Sequence, residues 1–499
     1  MNTSWSWART SALIVGGGAL ALAALLSPAA TAGDTPEIKF AAQKEYPAGN
    51  RSQAIALGDI DSDGTVDAVT ANRSAGTVSV LKNNGSGGLG SKTEYRVGTG
   101  PWSVAVGDVT GDGRLDIVAT NYVSNSISLL RNVGNGVFAD KVDSPTGTSP
   151  YSVTVGDVSG DGRLDVVTAN NGANSVSVLV NTGQGTLAPK VDYPTGGGPW
   201  SVALGKVNND KSLDIVTANI GADSVSVLLN TGKGGFADRV DYPTGRKPAA
   251  VALGRVDPNS KLDIVTANSE GASASVLTGN GKGGFKPSVE YPAGSQPSAL
   301  ALQDLTGDGL MDAVVTDFDS SEVSVLPNTG KGTLAARTQY ATGKGPRGVA
   351  LGDLTRDGKP DIVTANMNAN SISVLPNTSP LKLTEERGSL HITPPPGTVG
   401  VAVRYTVQYN KPHRVAAGRP WRTWAKRWPA DRLTIPLKDT RTREECAVAG
   451  KPSAICRRAL GTHDSGETYT YRLIAKVRPT TGSAEEWIRA RDDLTVTRR

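Results

Sequence analysis

The chain has 499 residues, including 59 Gly and 29 Pro, and its hydrophobic, aromatic and charged contents are 38%, 5% and 20%. The hydrophobic and aromatic contents exclude a membrane bundle and a helical coiled coil, and the low charged fraction excludes a long disordered chain. The formal net charge of +5 conceals two different halves, because residues 379–499 carry 23 Lys/Arg against 12 Asp/Glu, whereas residues 33–378 carry 28 against 35. These values predict an all-β chain with an acidic body and a basic C-terminal module.

The first 32 residues have the layout of a secretory signal peptide. Arg9 precedes the apolar run Ser11–Leu26, and Ala30 and Ala32 form a small-residue cleavage site. The run is interrupted by three glycines and is short for a membrane span, although an uncleaved N-terminal anchor is the alternative. We therefore expect a secreted, extracellular protein with no membrane span.

A segment of nearly constant sequence recurs every 49 residues. It reads GDIDSDGTVDAVTAN at Gly58–Asn72 and GDVTGDGRLDIVATN at Gly107–Asn121. A fixed period of this size is typical of a solenoid, a propeller or another repeat array. The first position of the acidic loop in each repeat falls at Asp59, Asp108, Asp157, Lys206, Arg255, Asp304 and Asp353.

Each repeat contains four strand-like segments. In the second repeat they are Ser103–Val109, Leu115–Thr120, Ser126–Leu130 and, after a Gly-Asn-Gly turn, Val137–Val142. Seven such units predict a seven-bladed β-propeller. Phe40–Tyr46 matches the last strand of a repeat, which the seventh repeat lacks, so this N-terminal strand is predicted to complete the last blade and close the ring.

These seven loops in register resemble the FG-GAP/VCBS-type repeats of integrin α-subunit heads and of many secreted bacterial propellers. The resemblance covers residues 38–378 and implies a propeller, but it implies no single function, because such propellers host both binding and catalysis. We place the predicted propeller at residues 33–378, between the signal peptide at 1–32 and a C-terminal module at 379–499.

The acidic loops have the composition of calcium sites. Asp59–Asp67 fits D-x-D-x-D-G-x-x-D, in which four carboxylates can converge on one hard cation and the Gly permits a sharp turn. Four further loops carry Ser or Thr at the third position, and oxygen-only ligands favour Ca²⁺ over zinc or copper. Acidic turns that merely cap hairpins are the alternative. The predicted ligands of five structural calcium ions are Asp59, Asp61, Asp63, Asp67, Asp108, Thr110, Asp112, Asp116, Asp157, Ser159, Asp161, Asp165, Asp304, Thr306, Asp308, Asp312, Asp353, Thr355, Asp357 and Asp361.

The fourth and fifth loops depart from this pattern. A cationic residue stands at their first position, and a residue other than Gly stands at the sixth. We expect a side-chain cation to replace the metal there, so that five of the seven loops bind calcium. The expected pairs are Lys206 with Asp210 and Asp214, and Arg255 with Asp257 and Asp263.

Loops on the face opposite the acidic loops differ from blade to blade, although segments such as VSVL and TAN repeat almost unchanged. Variable loops on a rigid scaffold are typical of a binding site. Aromatic residues of neighbouring blades can form a platform for a sugar face or a peptide, or they can cover the top of the core. The predicted ligand-binding residues are Trp102, Tyr122, Tyr151, Trp200, Phe318 and Arg347.

The predicted propeller contains no His and no Cys, because all of these residues lie in the C-terminal module. Their absence removes Ser-His-Asp, Cys-His and His-zinc chemistry from the main body. Carboxylate chemistry of the glycosidase type stays open, with Asp317, Asp319 and Glu322 as acidic candidates or, alternatively, as a solvated turn. No catalytic residue is assigned.

Residues 379–499 are predicted to form a small β-sandwich. Val401–Tyr409 alternates strongly, as a half-buried strand does. Gly466–Val477 is similar to the penultimate strand of a fibronectin type III domain, with Tyr469 at the tyrosine-corner position. Cys446 and Cys456, the only cysteines of an exported chain, are predicted to form a disulfide.

We predict a secreted, calcium-stabilised adhesion or binding protein that recognises an extracellular glycan or protein ligand. The alternatives are a carboxylate-dependent enzyme acting on polysaccharide and a purely structural envelope component without a discrete ligand. We expect a monomer with no nucleic-acid partner.

Overall fold

Seven four-stranded antiparallel sheets follow one another along the chain in the computed structural model. The structure describes residues 38–208, 210–306 and 309–379 with their side chains, and beyond residue 379 only the backbone of strands. The predicted signal peptide at 1–32 lies outside the described residues. Innermost strands of successive blades contact one another around a closed ring, the seventh blade meeting the first. The predicted all-β, seven-bladed propeller is confirmed.

The innermost strand of each blade runs directly into the acidic loop. In the second and third blades, three of its seven residues are buried and the other four are half-buried. The innermost strands are Ser52–Gly58, Pro101–Gly107, Pro150–Gly156, Pro199–Gly205, Pro248–Gly254, Pro297–Gln303 and Pro346–Gly352.

The second strand lies in the middle of the blade, and all six of its residues are buried. Val, Ile and Thr dominate its interior, because β-branched side chains fit a pleated surface that is covered on both sides. The second strands are Asp67–Asn72, Asp116–Asn121, Asp165–Asn170, Asp214–Asn219, Asp263–Asn268, Asp312–Asp317 and Asp361–Asn366. The third strands are Thr77–Leu81, Ser126–Leu130, Ser175–Leu179, Ser224–Leu228, Ser273–Leu277, Glu322–Leu326 and Ser371–Leu375.

The outermost strand begins later than predicted. In the second blade, Val137–Phe138 pairs with Asn132–Gly134 in a miniature hairpin, and the outermost strand is Val142–Pro145. The single predicted strand Val137–Val142 is therefore wrong. The outermost strands of the first six blades are Thr93–Arg96, Val142–Pro145, Val191–Pro194, Val240–Pro243, Val289–Pro292 and Thr338–Ala341. Two more miniature hairpins pair Asn181–Gly183 with Thr186–Leu187 and Asn230–Gly232 with Gly235–Phe236, and a 3-10 helix spans Asn171–Ala173.

The seventh blade takes its outermost strand from the N-terminus, as predicted. Lys44–Pro47 pairs antiparallel with Ser371–Leu375 in the register Lys44 with Val374 and Pro47 with Ser371. Phe40 bridges Asn377 separately, at the place where other blades form the miniature hairpin. The predicted segment Phe40–Tyr46 is thus divided between a bridge and a strand, and the ring has no missing strand.

Asparagine side chains connect five of the seven blades to the blade before them. Asn132 Nδ2 donates to the carbonyl oxygen of Ile60 in the first blade (2.8 Å) and to that of Leu115 in its own blade (3.0 Å). Such bonds satisfy buried carbonyls at the blade junctions, where apolar layers form the core. Equivalent bonds to the preceding blade join Asn83 to Leu354, Asn181 to Val109, Asn230 to Val158 and Asn328 to Val256.

Beyond residue 379 the structure has further antiparallel strands. Val401–Lys411 pairs with Thr468–Pro479, which pairs with Ile488–Thr497. The β-sandwich stays a prediction, and the side chains of the predicted Cys446–Cys456 disulfide lie outside the described part of the chain. The remaining strands are Leu383–Glu386, Ser389–Ile392, Arg414–Val415, Leu433–Pro436, Glu444–Glu445 and Ile455–Cys456. Within the described part of the chain, no helix has the length and apolarity that crossing a bilayer requires.

A buried amide closes the second strand in six blades, and the sixth blade has an aspartate instead. Asn170 Nδ2 donates to the hydroxyls of Ser175 (3.2 Å) and Ser177 (2.8 Å). Asp317 is fully buried at the equivalent place, where Ser324 donates to its Oδ2 (2.6 Å) and its Oδ1 has no partner. Burial raises the pKa of Asp317 to about 6. Asp317 is therefore not part of a solvated turn, whereas Asp319 is exposed.

We expect Asp317→Asn to stabilise the protein at neutral pH. The pKa of Asp317 lies above its ordinary value of 3.8, so ionisation between about pH 4 and pH 6 favours the unfolded chain. The free energy of unfolding of the variant should exceed that of the parent by about 1–3 kcal/mol at pH 7 and by almost nothing near pH 4. Chemical denaturation across this pH range measures the difference.

Asp319→Asn is the matched control, because Asp319 is exposed and its substitution should leave stability unchanged within about 0.5 kcal/mol. An Asp317→Asn gain that is the same at pH 4 and pH 7, or a loss at pH 7, would contradict a buried ionised carboxylate.

Candidate functional site

The residue that enters each innermost strand lies at a β-bulge. In the third blade, Pro150 pairs with Asn170 and Ser152 with Ala169, so Tyr151 has no partner. A bulge redirects the side chain of the extra residue, and it occurs at the equivalent place in every blade. The seven entering residues are Gln53, Trp102, Tyr151, Trp200, Ala249, Ser298 and Arg347.

Four aromatic rings meet at the mouth of the channel. Trp102 and Trp200 belong to the second and fourth blades, yet their ring centroids are 5.7 Å apart. Tyr151 lies 4.3 Å from the Trp102 ring and 4.2 Å from the Trp200 ring, and Tyr122 lies 5.0 Å from Tyr151. All four rings are half-buried. The rings therefore pack in edge and tilted arrangements that stabilise an aromatic platform while keeping part of each ring exposed.

Arg347 of the seventh blade reaches across the mouth. Its guanidinium lies 5.6 Å from the Trp102 ring, 5.5 Å from the Trp200 ring and 5.5 Å from the Phe318 ring. These distances are within the range of cation–π attraction. The structure thus brings together the six residues predicted to bind a ligand, which we call the mouth cluster: Trp102, Tyr122, Tyr151, Trp200, Phe318 and Arg347.

Sequence reasoning missed two further polar residues beside the mouth cluster. The Arg73 guanidinium lies 4.7 Å from the Trp102 ring and 5.9 Å from the Tyr122 ring. Gln53 is only 3% exposed, and neither of its amide atoms has a hydrogen-bond partner. Both residues occupy positions that vary between blades. This variation could have identified them from the sequence.

Protonation in the mouth cluster follows from burial. Burial, together with the neighbouring Tyr122, raises the pKa of Tyr151 to about 12, against the opposing effect of the arginine charges. Its phenol is therefore a hydrogen-bond donor at neutral pH. Burial lowers the pKa of Arg347, and the charge of Arg73 lowers it further, although a guanidinium stays charged near neutral pH.

The acidic loops lie at the other end of the innermost strands and share one backbone geometry. Asp108 accepts the N–H groups of Asp112 (3.0 Å) and Gly113 (2.8 Å). The sixth residue is Gly with φ between +80° and +86° in all five predicted calcium loops, as the sharp turn requires. Among the predicted ligands, Asp308 lies outside the described residues.

The first loop contains the densest acidic group in the described part of the chain. Ligand oxygens of Asp59, Asp61 and Asp67 lie within 4.8 Å of one another. Two unit charges at this separation repel by about 3 kcal/mol at an effective dielectric constant of about 20. Lys82 Nζ, 3.2 Å from Asp61 Oδ2, offsets only part of this repulsion. A bound cation would remove the remainder.

In three of the five loops, the third position supplies an oxygen that the protein itself does not satisfy. Asp61 Oδ1, Thr110 Oγ1 and Thr355 Oγ1 are buried and have no hydrogen-bond partner. A buried polar atom without a partner is unfavourable by about 1–3 kcal/mol. Three loops thus offer an unpaired oxygen next to carboxylates, and this donor set fits a calcium ion.

The ninth loop position has a structural role in all seven blades. Asp67 Oδ2 accepts the N–H of Ile60 (3.0 Å), and its Oδ1 accepts that of Asn83 (2.8 Å). Asp214 and Asp263, in the two loops without the calcium pattern, accept the same pair of N–H groups. Burial raises the pKa of Asp67 to about 6. This carboxylate therefore joins two turns of the blade whether or not a metal is present.

The cation pairs expected in the fourth and fifth loops are wrong. Lys206 and Arg255 are exposed and form no ion pair with the loop carboxylates of the described residues. Asparagine amides contact the carboxylates in place of the expected cations. Asn208 Nδ2 donates to Asp210 and Asn259 Nδ2 donates to Asp257, each at 2.8 Å. A short amide two residues away loses less side-chain entropy than a long cation.

An arginine inside the loop distinguishes the second and third blades. Arg114 forms an ion pair with Asp112, and its Nε donates to the carbonyl of Asn132 (2.9 Å). Arg163 makes the same contacts with Asp161 and Asn181. These cations neutralise the fifth-position carboxylate of the second and third loops in part.

Solved structures are similar to the chain at low sequence identity. The chain is similar to BBS1N in a complex with ARL6DN, with a TM-score of 0.50, 13% identity and coverage of 68% of this chain and 97% of that chain. It is also similar to a streptogramin B lyase, with a TM-score of 0.49, 17% identity and coverage of 68% and 98%. A third is an Agrocybe aegerita lectin that recognises non-reducing terminal N-acetylglucosamine, with a TM-score of 0.44, 18% identity and coverage of 66% and 86%. The likeness to BBS1N shows the fold alone.

No curated protein matches the chain significantly. A family model described as an FG-GAP-like repeat matches residues 59–119, 108–168, 157–217, 255–315 and 304–364, which together make up more than half of the chain. Each match runs from one acidic loop through the second strand of the next blade, so it spans the unit that the structure repeats. The chain therefore belongs to the FG-GAP-like repeat family.

Proposed function

We propose that this chain is a secreted, calcium-stabilised binding protein that holds an extracellular glycan or protein ligand at the channel mouth. The convergence of the mouth cluster carries the proposal, because side chains from five blades meet at one place on the ring axis. The backbone below them is fixed by strand pairing, so the contact surface is preorganised. Half-buried Trp and Tyr rings combine an apolar surface with polar groups, as binding surfaces commonly do.

Calcium has a structural role in this proposal. The five predicted loops lie at the opposite end of the innermost strands from the mouth cluster, so the ions would stabilise the ring without touching the ligand. Asp59, Asp61 and Asp67, together with the unpaired third-position oxygens of other loops, support this assignment. Each ion would offset carboxylate repulsion in the turn between the innermost and second strands.

Secretion is supported by the sequence pattern of residues 1–32 and by the pair Cys446 and Cys456. A disulfide between these residues suits an oxidising compartment. The C-terminal segment at 379–499 would then be an extracellular fibronectin type III-like module attached to the propeller.

Removal of calcium should destabilise the propeller. A site filled at a hundred times its Kd contributes about 2.7 kcal/mol, so we expect a lower Tm and faster proteolysis in chelator than in calcium. Asp61→Ala removes an unpaired oxygen of the first loop, and it should reduce the calcium-dependent shift in Tm. Thermal melts with and without calcium measure both effects.

Asp210→Ala is the matched control, because it removes a carboxylate from a loop without the calcium pattern. It should change the Tm equally in calcium and in chelator. An identical Tm of the parent protein in the two media, after elemental analysis shows complete metal removal, would contradict a stabilising role of calcium.

Trp102→Ala should weaken ligand binding at least tenfold, because Trp102 contacts three other rings and both arginines of the channel mouth. Glycan and peptide arrays probed with the secreted chain identify the ligand, and titration then gives the affinity. Val123→Ala is the control, since Val123 is 57% exposed in a loop of the same face. No binding on any array, or equal affinity of parent and Trp102→Ala, would contradict the proposed site.

A further inference from the structure

The two arginines of the channel mouth have no carboxylate partner. Arg73 and Arg347 are half-buried, and neither forms an ion pair with any described residue. Arg246, on a loop of the same face, pairs with Glu270 at 2.8 Å. Positive charges that are partly removed from water and left unpaired are unfavourable, and here the two also repel each other. The site is therefore complementary to an anion.

Gln53 adds an unsatisfied amide at the neighbouring position of the ring. It occupies the entering position of the first blade, between Arg347 of the seventh blade and Trp102 of the second. Its amide oxygen and nitrogen are both buried without a partner. An amide offers one acceptor and two donors, so a ligand with hydroxyl and carboxylate oxygens can satisfy it.

The exposed ring surfaces favour a sugar over a peptide. Trp102, Trp200 and Tyr122 keep part of their ring surface exposed, and the C–H face of a pyranose packs on such surfaces.

We propose that the channel mouth binds a hexuronic acid unit of an acidic polysaccharide. Guanidinium groups of Arg347 and Arg73 would hold the carboxylate, Gln53 and Tyr151 would bond hydroxyls, and the aromatic rings would hold the sugar face. This inference rests on the proposed function, since it names the ligand class of the same site. Hexuronate carboxyls are ionised at neutral pH, as simple carboxyl groups are.

Calorimetric titration of the full chain with uronate tetramers tests the proposal. The probes are galacturonate, glucuronate and mannuronate tetramers and their methyl esters, at constant calcium concentration. We expect one acid to bind at least tenfold more tightly than its ester, and this affinity to fall as salt is raised. Arg347→Gln should weaken binding of the acid at least tenfold, whereas the control Arg246→Gln should stay within twofold of the parent.

Three results would overturn the inference. Equal affinity for acid and ester shows that the carboxylate is not recognised, and unchanged binding by Arg347→Gln shows that it is held elsewhere. If a peptide binds and no uronate does, the sugar is excluded but the proposed binding function stands. If nothing binds on any glycan or peptide array, the proposed binding function is contradicted as well. If Arg347→Gln does not fold, the comparison of acid, ester and salt on the parent protein decides alone.

Discussion

Pairing of Lys44–Pro47 with Ser371–Leu375 joins the two ends of the propeller, and the rest of the ring depends on this contact. Each blade presents an apolar face to the next, so an open row of seven would leave two such faces in water. In the closed ring, Tyr46 and Ile55 share a buried cluster with Val363 of the seventh blade. Burial of this last layer contributes about 25 cal/mol per Å² of apolar surface, and the pairing covers the edge of Ser371–Leu375.

The number of blades and the closing strand could be predicted because a 49-residue period without insertions reports the repeated unit directly. Strand boundaries inside the repeated unit could not be predicted. Short alternating segments between residues 137 and 145 do not reveal that a two-residue strand at Val137–Phe138 ends before the outermost strand Val142–Pro145 begins. Local hydrogen bonds of the Gly-containing turn decide that boundary, and periodicity does not report them.

The mouth cluster was predictable for a different reason. Positions that vary against a nearly constant repeat are visible in one sequence, and Trp102, Tyr151 and Trp200 stand at such positions. The bulge that frees each entering residue from its strand partner leaves no sequence pattern, because it depends on the register of two strands. The ion pairs predicted for Lys206 and Arg255 were wrong, because charge alone does not indicate whether a long side chain turns toward its loop or into water.

The two faces of the ring differ in the charge and type of their side chains. Acidic loops on one face concentrate negative charge that a divalent cation would offset, and the opposite face gathers rings and unpaired guanidinium groups. Anomalous X-ray diffraction from crystals grown in calcium tests this division most directly. We expect calcium peaks in the loops of the first, second, third, sixth and seventh blades, with none beside Lys206 or Arg255. Five empty loops, or peaks in the fourth and fifth blades, would contradict it.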